Sequence, residues 1–249
     1  MKSEVLSELP EKIENTMLAD LSPEQRKMYD AYLITAKNEA ASIMEGSDKR
    51  TGQLRILSLL MRLRQICCHP VLFDTAYKKD SGKLEMLEEI TSSAHDAGHR
   101  ILIFSQFTSM LSIIRERLEA MGLECFYIDG STPAMERNVL AARFNDGKGD
   151  VFLVSLKAGG TGLNLTGADT VIHYDPWWNP AVMDQASDRA YRIGQTKAVQ
   201  VIKLASRNTI EEKIIKLQDK KRVLADGIIQ ANTAILNRLS KEEILALFE

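Results

Sequence analysis

The sequence lacks the features that mark membrane and secreted proteins. No apolar run approaches the roughly 20 residues that a bilayer-spanning helix needs. The N-terminal stretch MKSEVLSELPEK is acidic and has no apolar centre, so it does not predict a secretory signal. The three cysteines, Cys67, Cys68 and Cys125, form neither a disulfide framework nor a CxxC metal clip. We therefore expect an intracellular protein whose thiols are reduced.

The motifs of several catalytic classes are also missing. The phosphate-binding pattern GxxxxGK(S/T) does not occur: Gly82-Lys83 comes closest, but Tyr77 takes the place of the first glycine. The sequence has no Asp-Glu dipeptide for an acidic Walker B box. Neither an HExxH pattern nor a Cys/His cluster occurs, so no metal site is predicted. A complete nucleotide site of the P-loop type is therefore not expected in this chain.

The net charge excludes few classes of binding partner. The 32 basic and 34 acidic side chains give a net charge of −2, which argues against a purely electrostatic nucleic-acid binder. It leaves room for a binder that uses a few local amides and cations. With 45% hydrophobic and 27% charged residues, the chain has the composition of an ordinary globular protein, and its 249 residues suit one large domain or one domain with helical additions.

Hydrophobic patterns divide the chain into three parts. Residues 1–79 contain no convincing strand, and Ser22-Pro23-Glu24-Gln25 predicts a helix start with Ser22 as N-cap. Residues 80–205 alternate short apolar runs with amphipathic helices, which indicates buried parallel strands. Residues 206–249 are helical again, with Thr209 as a further cap, and are expected to brace the sheet. The predicted fold is α/β, a doubly wound parallel sheet with added N-terminal and C-terminal helices.

The predicted elements are short and regularly spaced. The strands are expected at 101–104, 125–128, 151–154, 170–174 and 199–204. The helices are expected at 23–46, 51–67, 84–95, 108–120, 133–144, 180–191 and from Thr209 onward. Ligands of such sheets bind beyond the carboxyl ends of the strands, so the loops that follow the strands are the candidate functional segments.

A glycine-rich segment follows the strand predicted at 151–154. Its sequence, SLKAGGTGLNL over residues 155–165, places three glycines among four residues, so the backbone can approach a ligand closely or adopt positive φ. Exposed amides in such a loop bind phosphate oxygens, and Lys157 and Thr161 add a cation and a hydroxyl. A plain tight turn is the alternative. The segment is not a dinucleotide fingerprint, because Leu165 takes the place of the last glycine in GxGxxG.

Two arginines close the helix predicted at 180–191. In the run QASDRAYRIGQ, residues 185–195, the side chains of Gln185, Arg189 and Arg192 lie at i, i+4 and i+7 and share one helical face. We expect that face at the ligand edge of the sheet. Guanidinium groups stay charged and grip phosphate with two N–H groups. The alternative is a solvated charged face held by salt bridges.

The loop DPWWNP, residues 175–180, follows another predicted strand and contains the only two tryptophans of the chain, Trp177 and Trp178. Two prolines stiffen it. Tryptophans in a loop either anchor a partner or ligand, or fold back onto the core. Both interpretations remain open for this pair.

Polar groups also end the first two strands of the alternating part. Ser105 and Gln106 follow the strand at 101–104, and Ser131 lies in DGSTP after the strand at 125–128. These hydroxyl and amide groups are expected on the same sheet edge as the other loops. Ser131 or the neighbouring Thr132 is equally suited to cap the next helix.

Together these segments resemble the C-terminal RecA-like lobe of Swi/Snf-type ATPases, a branch of the superfamily 2 helicases. The resemblance covers about residues 54–217. The segments that carry it are RLRQICCHP at 62–70, RILIFSQF at 100–107, DGST at 129–132, SLKAGGTGLNL at 155–165, DPWWNP at 175–180 and QASDRAYRIGQ at 185–195. The last of these, with its Arg-Ile-Gly-Gln ending, is the most specific.

The resemblance implies a role for each matching residue. Arg189 and Arg192 look like the arginine fingers that reach the γ-phosphate of ATP across a cleft between two lobes, with Gln185 as their partner. The implied nucleotide-binding residues are Gly160, Gly162 and Asp188. The implied DNA-binding residues are Ser105, Gln106, Ser131, Lys157, Ala158 and Thr161. Trp177 and Trp178 look like a loop that couples the lobes to DNA.

The resemblance also implies an organisation and a set of partners. Residues 1–79 correspond to the family's helical protrusion and linker, 80–205 to the RecA-like lobe, and 206–249 to a C-terminal brace. The implied cofactor is ATP with Mg²⁺, bound mainly by a first lobe that this chain lacks. The implied partners are that N-terminal RecA-like lobe, double-stranded DNA and a DNA-bound protein complex, with no membrane, in the nucleoid, the cytoplasm or the nucleus.

Three functional hypotheses follow from the sequence. The first is one half of an ATP-dependent double-stranded-DNA translocase or remodeller, which hydrolyses ATP with the other half and is inactive alone. The second is a catalytically retired module that binds DNA or protein. The third is an unrelated enzyme that binds a small nucleotide by itself, which the missing P-loop disfavours.

Overall fold

A computed structural model describes residues 9–45, 49–158, 162–224 and 240–249. Its strands are β1 (Lys12–Ala19), β2 (Ile101–Ser105), β3 (Cys125–Ile128), β4 (Val151–Ser155), β5 (Thr170–His173) and β6 (Val199–Ser206). Its helices are α1 (Pro23–Glu45), α2 (Lys49–Cys68), α3 (Gly82–Asp96), α4 (Thr108–Ala120), α5 (Ala134–Asn145), α6 (Pro180–Ser187), α7 (Ile210–Leu224) and α8 (Lys241–Ala246), with a 3-10 helix at Pro70–Leu72.

One sheet contains all six of these strands, in the order β1-β6-β5-β2-β4-β3. At its centre, Ile101 of β2 lies opposite Val151 of β4 on one side and Thr170 of β5 on the other, in parallel register. Every residue of β2, β4 and β5 is buried, which explains why these strands read as continuous apolar runs. The predicted α/β fold with a parallel sheet is confirmed.

The edge strand β1 corrects the prediction that residues 1–79 contain no strand. It runs parallel to β6, because Val199 N donates to the Glu11 carbonyl at one end (2.9 Å) and Arg207 N donates to the Ala19 carbonyl at the other (2.8 Å). Most of its side chains are exposed, so the sequence shows no apolar run. An edge strand of this kind is specified by its pairing with a neighbour, which local patterns do not reveal.

By its internal contacts the chain divides into two compact units. The sheet unit comprises Met1–Met17, Met86–Asp175 and Ala181–Leu204. The helical unit comprises Leu18–Glu85, Pro176–Pro180 and Ala205–Glu249. The five residues Pro176–Pro180 therefore belong by contact to the helical unit, although the residues on either side of them belong to the sheet unit.

The helical unit packs α1, α2, α7 and α8 around one hydrophobic core. The predicted start of α1 is confirmed: Gln25 N donates to Ser22 Oγ (3.4 Å), and Ser22 N donates to Gln25 Oε1 (3.3 Å). The buried Gln25 amide also donates to the Ile66 carbonyl in α2 (2.7 Å). Thr209 caps α7 as predicted, since its Oγ1 accepts from Glu211 N (3.2 Å).

The sheet unit buries a histidine at the end of β5. His173 stacks on Phe104 (5.4 Å between ring centroids), and its Nε2 lies 2.8 Å from Ser187 Oγ. The Ser187 hydroxyl donates to the Met183 carbonyl (3.1 Å), so it accepts a hydrogen bond from His173 Nε2–H. Burial, aided by the positive charge of Lys203, lowers the pKa of His173 to about 3.

We expect this histidine to make the free energy of unfolding fall as pH drops from about 6.5 towards 3. In that window the unfolded chain binds a proton at His173 and the folded chain does not, so each pH unit costs up to about 1.4 kcal/mol. Urea denaturation at two pH values, 7 and 5, checks this. The pH-dependent loss should shrink in His173→Gln and persist in His95→Gln, whose side chain is 42% exposed. Equal losses in both variants would contradict the assignment.

Candidate nucleotide and DNA site

The carboxyl ends of β2 and β4 bring two candidate segments together. Ser105 and Ser155 are register partners at the ends of these strands. Beyond them, Leu156 N donates to the Ser105 carbonyl (2.9 Å). The segment with Ser105 and Gln106 and the start of the glycine-rich segment therefore lie side by side, as the sheet topology predicted.

A buried carboxylate organises the end of β2. The Asp175 carboxylate accepts hydrogen bonds from the Ser105 hydroxyl and from Gln106 N (3.3 Å), and Ser105 Oγ also accepts from Phe107 N (3.1 Å). Ser105 is fully buried, whereas Gln106 is partly exposed. The candidate DNA contact Ser105 thus shapes the backbone beneath the surface, and Gln106 is nearer to solvent. Sequence patterns did not predict this role for Asp175. The one signal that could have indicated it is the position of this acidic residue directly after a buried apolar strand.

The structure describes only part of the glycine-rich segment. Lys157 is exposed, whereas Ala158 is buried and its N–H donates to Ser155 Oγ (3.3 Å). Gly160 and Thr161 lie outside the described residues. Gly162 has φ of +73°, and an added Cβ would meet no atom within 4 Å there. Glycine is favoured at this position by backbone conformation rather than by space.

The loop after β3 is held by its own side chains. Ser131 donates to Asp129 Oδ1 through both N–H (2.8 Å) and Oγ (2.6 Å), and Thr132 Oγ1 accepts from Asp129 N (3.1 Å). The hydrogen bonds that the Asp129 carboxylate accepts, that from Ser131 Oγ first, lower its pKa to about 2. The alternative that Ser131 or Thr132 caps α5 is wrong. The N-cap is Pro133, without a side-chain cap, because both hydroxyls bind Asp129.

The arginine run differs from its prediction in helical extent. Helix α6 ends at Ser187, so Arg189 and Arg192 do not continue the helical face of Gln185. The Arg189 carbonyl accepts from Leu165 N (2.9 Å), and the Ala190 carbonyl accepts from Gln195 Nε2 (3.1 Å). Because these carbonyls bond outside the helix, the chain turns instead of extending α6.

Two hydrogen bonds place the run beside the connection from β4 to β5. The Gln195 amide donates to the Ala168 carbonyl (2.8 Å), and Ala168 lies just before the amino end of β5. The Arg189 carbonyl accepts from the N–H of Leu165, the last residue of the glycine-rich segment. That the two guanidinium groups lie at the carboxyl edge of the sheet stays a prediction.

The predicted side chains of this run differ in exposure. Gln185, Asp188 and Arg192 are exposed, whereas Arg189 is 8% exposed. Arg189 Nε has no hydrogen-bond partner among the described residues. Burial and the nearby charge of Arg192 lower the pKa of Arg189. Lys12 Nζ lies 3.6 Å from Asp188 Oδ1, which links the run to strand β1.

The tryptophan loop packs inside the helical unit. Trp178 is 4% exposed and joins the hydrophobic core, whereas Trp177 is partly exposed. The guanidinium of Arg64, in α2, lies 5.6 Å from the Trp177 ring centroid and 5.8 Å from that of Trp178. The interpretation that the rings fold onto the core is therefore confirmed for Trp178.

Comparisons with known proteins decide the family. The model of the helicase conserved C-terminal domain matches residues 82–194, and that of the SNF2-related domain matches residues 1–72. The solved C-terminal domain of the Sulfolobus solfataricus SWI2/SNF2 ATPase is 35% identical, with a TM-score of 0.76; the match covers 94% of this chain and 96% of that one. The chain belongs to the SWI2/SNF2 ATPase family. Its sheet is the RecA-like sheet of that family's C-terminal lobe.

Longer proteins contain the same SWI2/SNF2 lobe. The Sulfolobus solfataricus SWI2/SNF2 ATPase core, solved in complex with double-stranded DNA, is 38% identical with a TM-score of 0.78, over 97% of this chain and 51% of that one. The "Uncharacterized ATP-dependent helicase MG018" of Mycoplasma genitalium is 37% identical over 249 residues, which are 100% of this chain and 24% of that protein. The chain thus spans about a quarter of the length of the curated relatives it matches.

Two other kinds of site are absent from the described part of this SWI2/SNF2 lobe. Within the residues that the structure describes, no group of three or more His, Cys, Asp or Glu side chains is placed to hold a metal ion. No described helix combines the length and the apolar character needed to cross a membrane.

Proposed function

We propose that this chain is the second motor lobe of an ATP-dependent translocase or remodeller of double-stranded DNA. In this proposal Arg189 and Arg192 act as arginine fingers on ATP, with Gln185 beside them. A first RecA-like lobe outside this chain binds most of the nucleotide and its Mg²⁺, because this chain contains no P-loop. ATP use and DNA binding by family members support the coarse assignment.

The hydrogen bond between Leu165 N and the Arg189 carbonyl is the observation that carries the proposal. It joins the arginine run to Leu165, the last residue of the glycine-rich segment. We propose that a shift of the arginines upon phosphate binding or release is passed through this bond to the glycine-rich segment. This gives a physical route between a nucleotide and a DNA backbone.

The electrostatics of the arginine pair suit an anionic ligand. Arg189 is buried beside Arg192, and a buried cation with an unused donor gains from a phosphate oxygen. The exposed Arg192 is free to approach a nucleotide held by another lobe. We propose that Gly162 and Asp188 contact the nucleotide, and Gly160 is assigned with them from the sequence.

The DNA contacts are assigned to the exposed groups near the ends of β2, β3 and β4. Gln106, Ser131 and Lys157 offer an amide, a hydroxyl and a cation, which suit phosphate contacts without base readout. Thr161 is assigned with them from the sequence. Ser105 and Ala158 are buried and are proposed to hold the backbone of these segments. Trp177 and Trp178 are proposed to couple DNA contact to ATP hydrolysis.

ATP turnover at about 1 mM ATP tests the proposal. It is measured for this chain alone and for the chain joined to a first lobe, each with and without duplex DNA. We expect no turnover from the chain alone and DNA-stimulated turnover from the two-lobe protein. Turnover by the chain alone would reveal a complete nucleotide site and overturn the divided site. DNA binding without turnover by the two-lobe protein would instead identify a retired interaction module.

A further inference from the structure

The DPWWNP loop leaves the unit that its neighbours in sequence belong to. Asp175 and Ala181 belong to the sheet unit, whereas Pro176–Pro180 belongs to the helical unit. Before the loop, Asp175 fixes Gln106, a candidate DNA contact. After the loop, α6 leads towards the arginine run. The continuous chain therefore joins the loop to both segments.

Arg64 holds the loop from α2. It is fully buried, its Nη2 donates to the Pro176 carbonyl (2.5 Å), and its guanidinium faces both tryptophan rings. A planar guanidinium offers a backbone hydrogen bond and ring contacts at once, which an ammonium group or an apolar side chain does not. Burial of a charge is unfavourable unless its contacts compensate. An apolar side chain would fill this part of the core at lower cost, so the arginine is explained by its contacts with the loop.

Gln218, which follows the loop in the chain, also holds it. It lies in α7, is 4% exposed, and its Nε2 donates to the Trp177 carbonyl. Trp178 meanwhile belongs to the hydrophobic core formed by α1, α2, α7 and α8. Two consecutive backbone carbonyls of the loop, those of Pro176 and Trp177, are thus bound by side chains of two different helices.

We propose that Arg64 and Gln218 are positioning residues that set the coupling between DNA contact and ATP hydrolysis by holding the DPWWNP loop. Neither is assigned a contact with nucleotide or DNA. The coupling role rests on the proposed function, whereas the contacts that hold the loop do not depend on it. Loss of either residue is expected to release the loop while the nucleotide groups remain in place.

Tryptophan fluorescence tests the holding of the loop in this chain. Trp177 and Trp178 are its only tryptophans, so the emission reports the loop alone. Arg64→Lys and Gln218→Leu should shift the emission to longer wavelength and increase quenching by acrylamide. Arg62→Lys is the matched control, because Arg62 is exposed on the same helix. Emission from both variants that equals that of the control would overturn the inference.

Coupled activity is then measured in the two-lobe protein. Arg64→Lys and Gln218→Leu should lower DNA-stimulated turnover by about tenfold, a loss at the upper end of the net contribution of one hydrogen bond. Turnover without DNA and the KM for ATP should stay at the wild-type values, which general misfolding would not allow. Gln218→Leu leaves no charged group buried without its contacts, so we expect it to fold. It therefore still tests the inference if Arg64→Lys folds poorly.

The outcomes separate this inference from the proposed function. Wild-type turnover stimulated by DNA, with full stimulation retained in both variants, would overturn the coupling role and leave the proposed function intact. A two-lobe wild type without DNA-stimulated turnover would overturn both the proposed function and the coupling role. In that case altered fluorescence would still establish that Arg64 and Gln218 hold the loop.

Discussion

Replacing Arg192 with alanine is expected to lower DNA-stimulated ATP turnover of the two-lobe protein by roughly 10³-fold or more. An arginine finger stabilises the charge that develops on the transferred phosphoryl group, and its loss in other nucleotide hydrolases has effects of that order. Arg192 is exposed, so its truncation should leave the fold and the melting temperature unchanged. Steady-state hydrolysis with saturating duplex DNA, together with thermal melting, measures both.

Two further variants test whether the effect is specific to the guanidinium group of Arg192. Arg192→Lys retains the charge but loses the planar fork, so we expect it to remain far below wild type. Arg115→Ala is the control, because Arg115 is an exposed arginine whose only described ion pair is with Glu119 on the surface of α4. It should retain full turnover. Wild-type turnover in Arg192→Ala would remove Arg192 from the catalytic role.

Arg189 is a less informative target than Arg192. It is buried beside the connection between β4 and β5, and its backbone carbonyl accepts the hydrogen bond from Leu165. Its truncation therefore removes packing as well as charge, and a loss of activity would have two causes. This distinction rests on the early end of α6, which the sequence did not indicate.

The sheet was predictable because its strands are buried on both faces. Segments such as Ile101–Ser105 and Val151–Ser155 appear as unbroken apolar runs, and their predicted limits agree with the structure to within one residue. Strand β1 was not predictable in this way. Its sequence KIENTMLA carries little apolar pattern, and its conformation depends on hydrogen bonds to β6, far away in the chain.

The candidate site was predictable in composition but less so in geometry. Residue types and strand order placed Ser105 beside Ser155 correctly. Helical spacing placed Gln185, Arg189 and Arg192 on one face, which failed because Leu165 and Gln195 bind carbonyls at the end of α6. Contacts of this kind join segments about 25 residues apart in sequence or form within a turn, and spacing rules do not contain them.

Lys83 forms the most deeply buried ion pair among the described residues. Its Nζ donates to Glu211 Oε2, and both side chains are 0% exposed. Although burial favours the neutral amine, the charge of Glu211 raises the pKa of Lys83. Glu211 Oε2 also accepts from Ser206 N (2.9 Å). The pair thus ties the start of α3 to the start of α7 within the helical unit.

Replacing Lys83 with methionine is expected to lower the free energy of unfolding by about 3–5 kcal/mol, because it leaves the Glu211 carboxylate buried without its cation. The double variant Lys83→Met with Glu211→Gln should recover most of that loss, since glutamine still accepts from Ser206 N and carries no charge. A double-mutant cycle in urea denaturation therefore measures the coupling between the two side chains.

The exposed pair Lys79 and Glu24 is the control for this cycle. Their side chains are 62% and 45% exposed, so the same two substitutions there should change stability far less than in the buried pair. The contrast isolates burial, because both pairs join a lysine near the start of α3 to a glutamate in the first turn of another helix. A Lys83→Met variant as stable as the Lys79→Met control would show that the buried carboxylate is neutralised by another route.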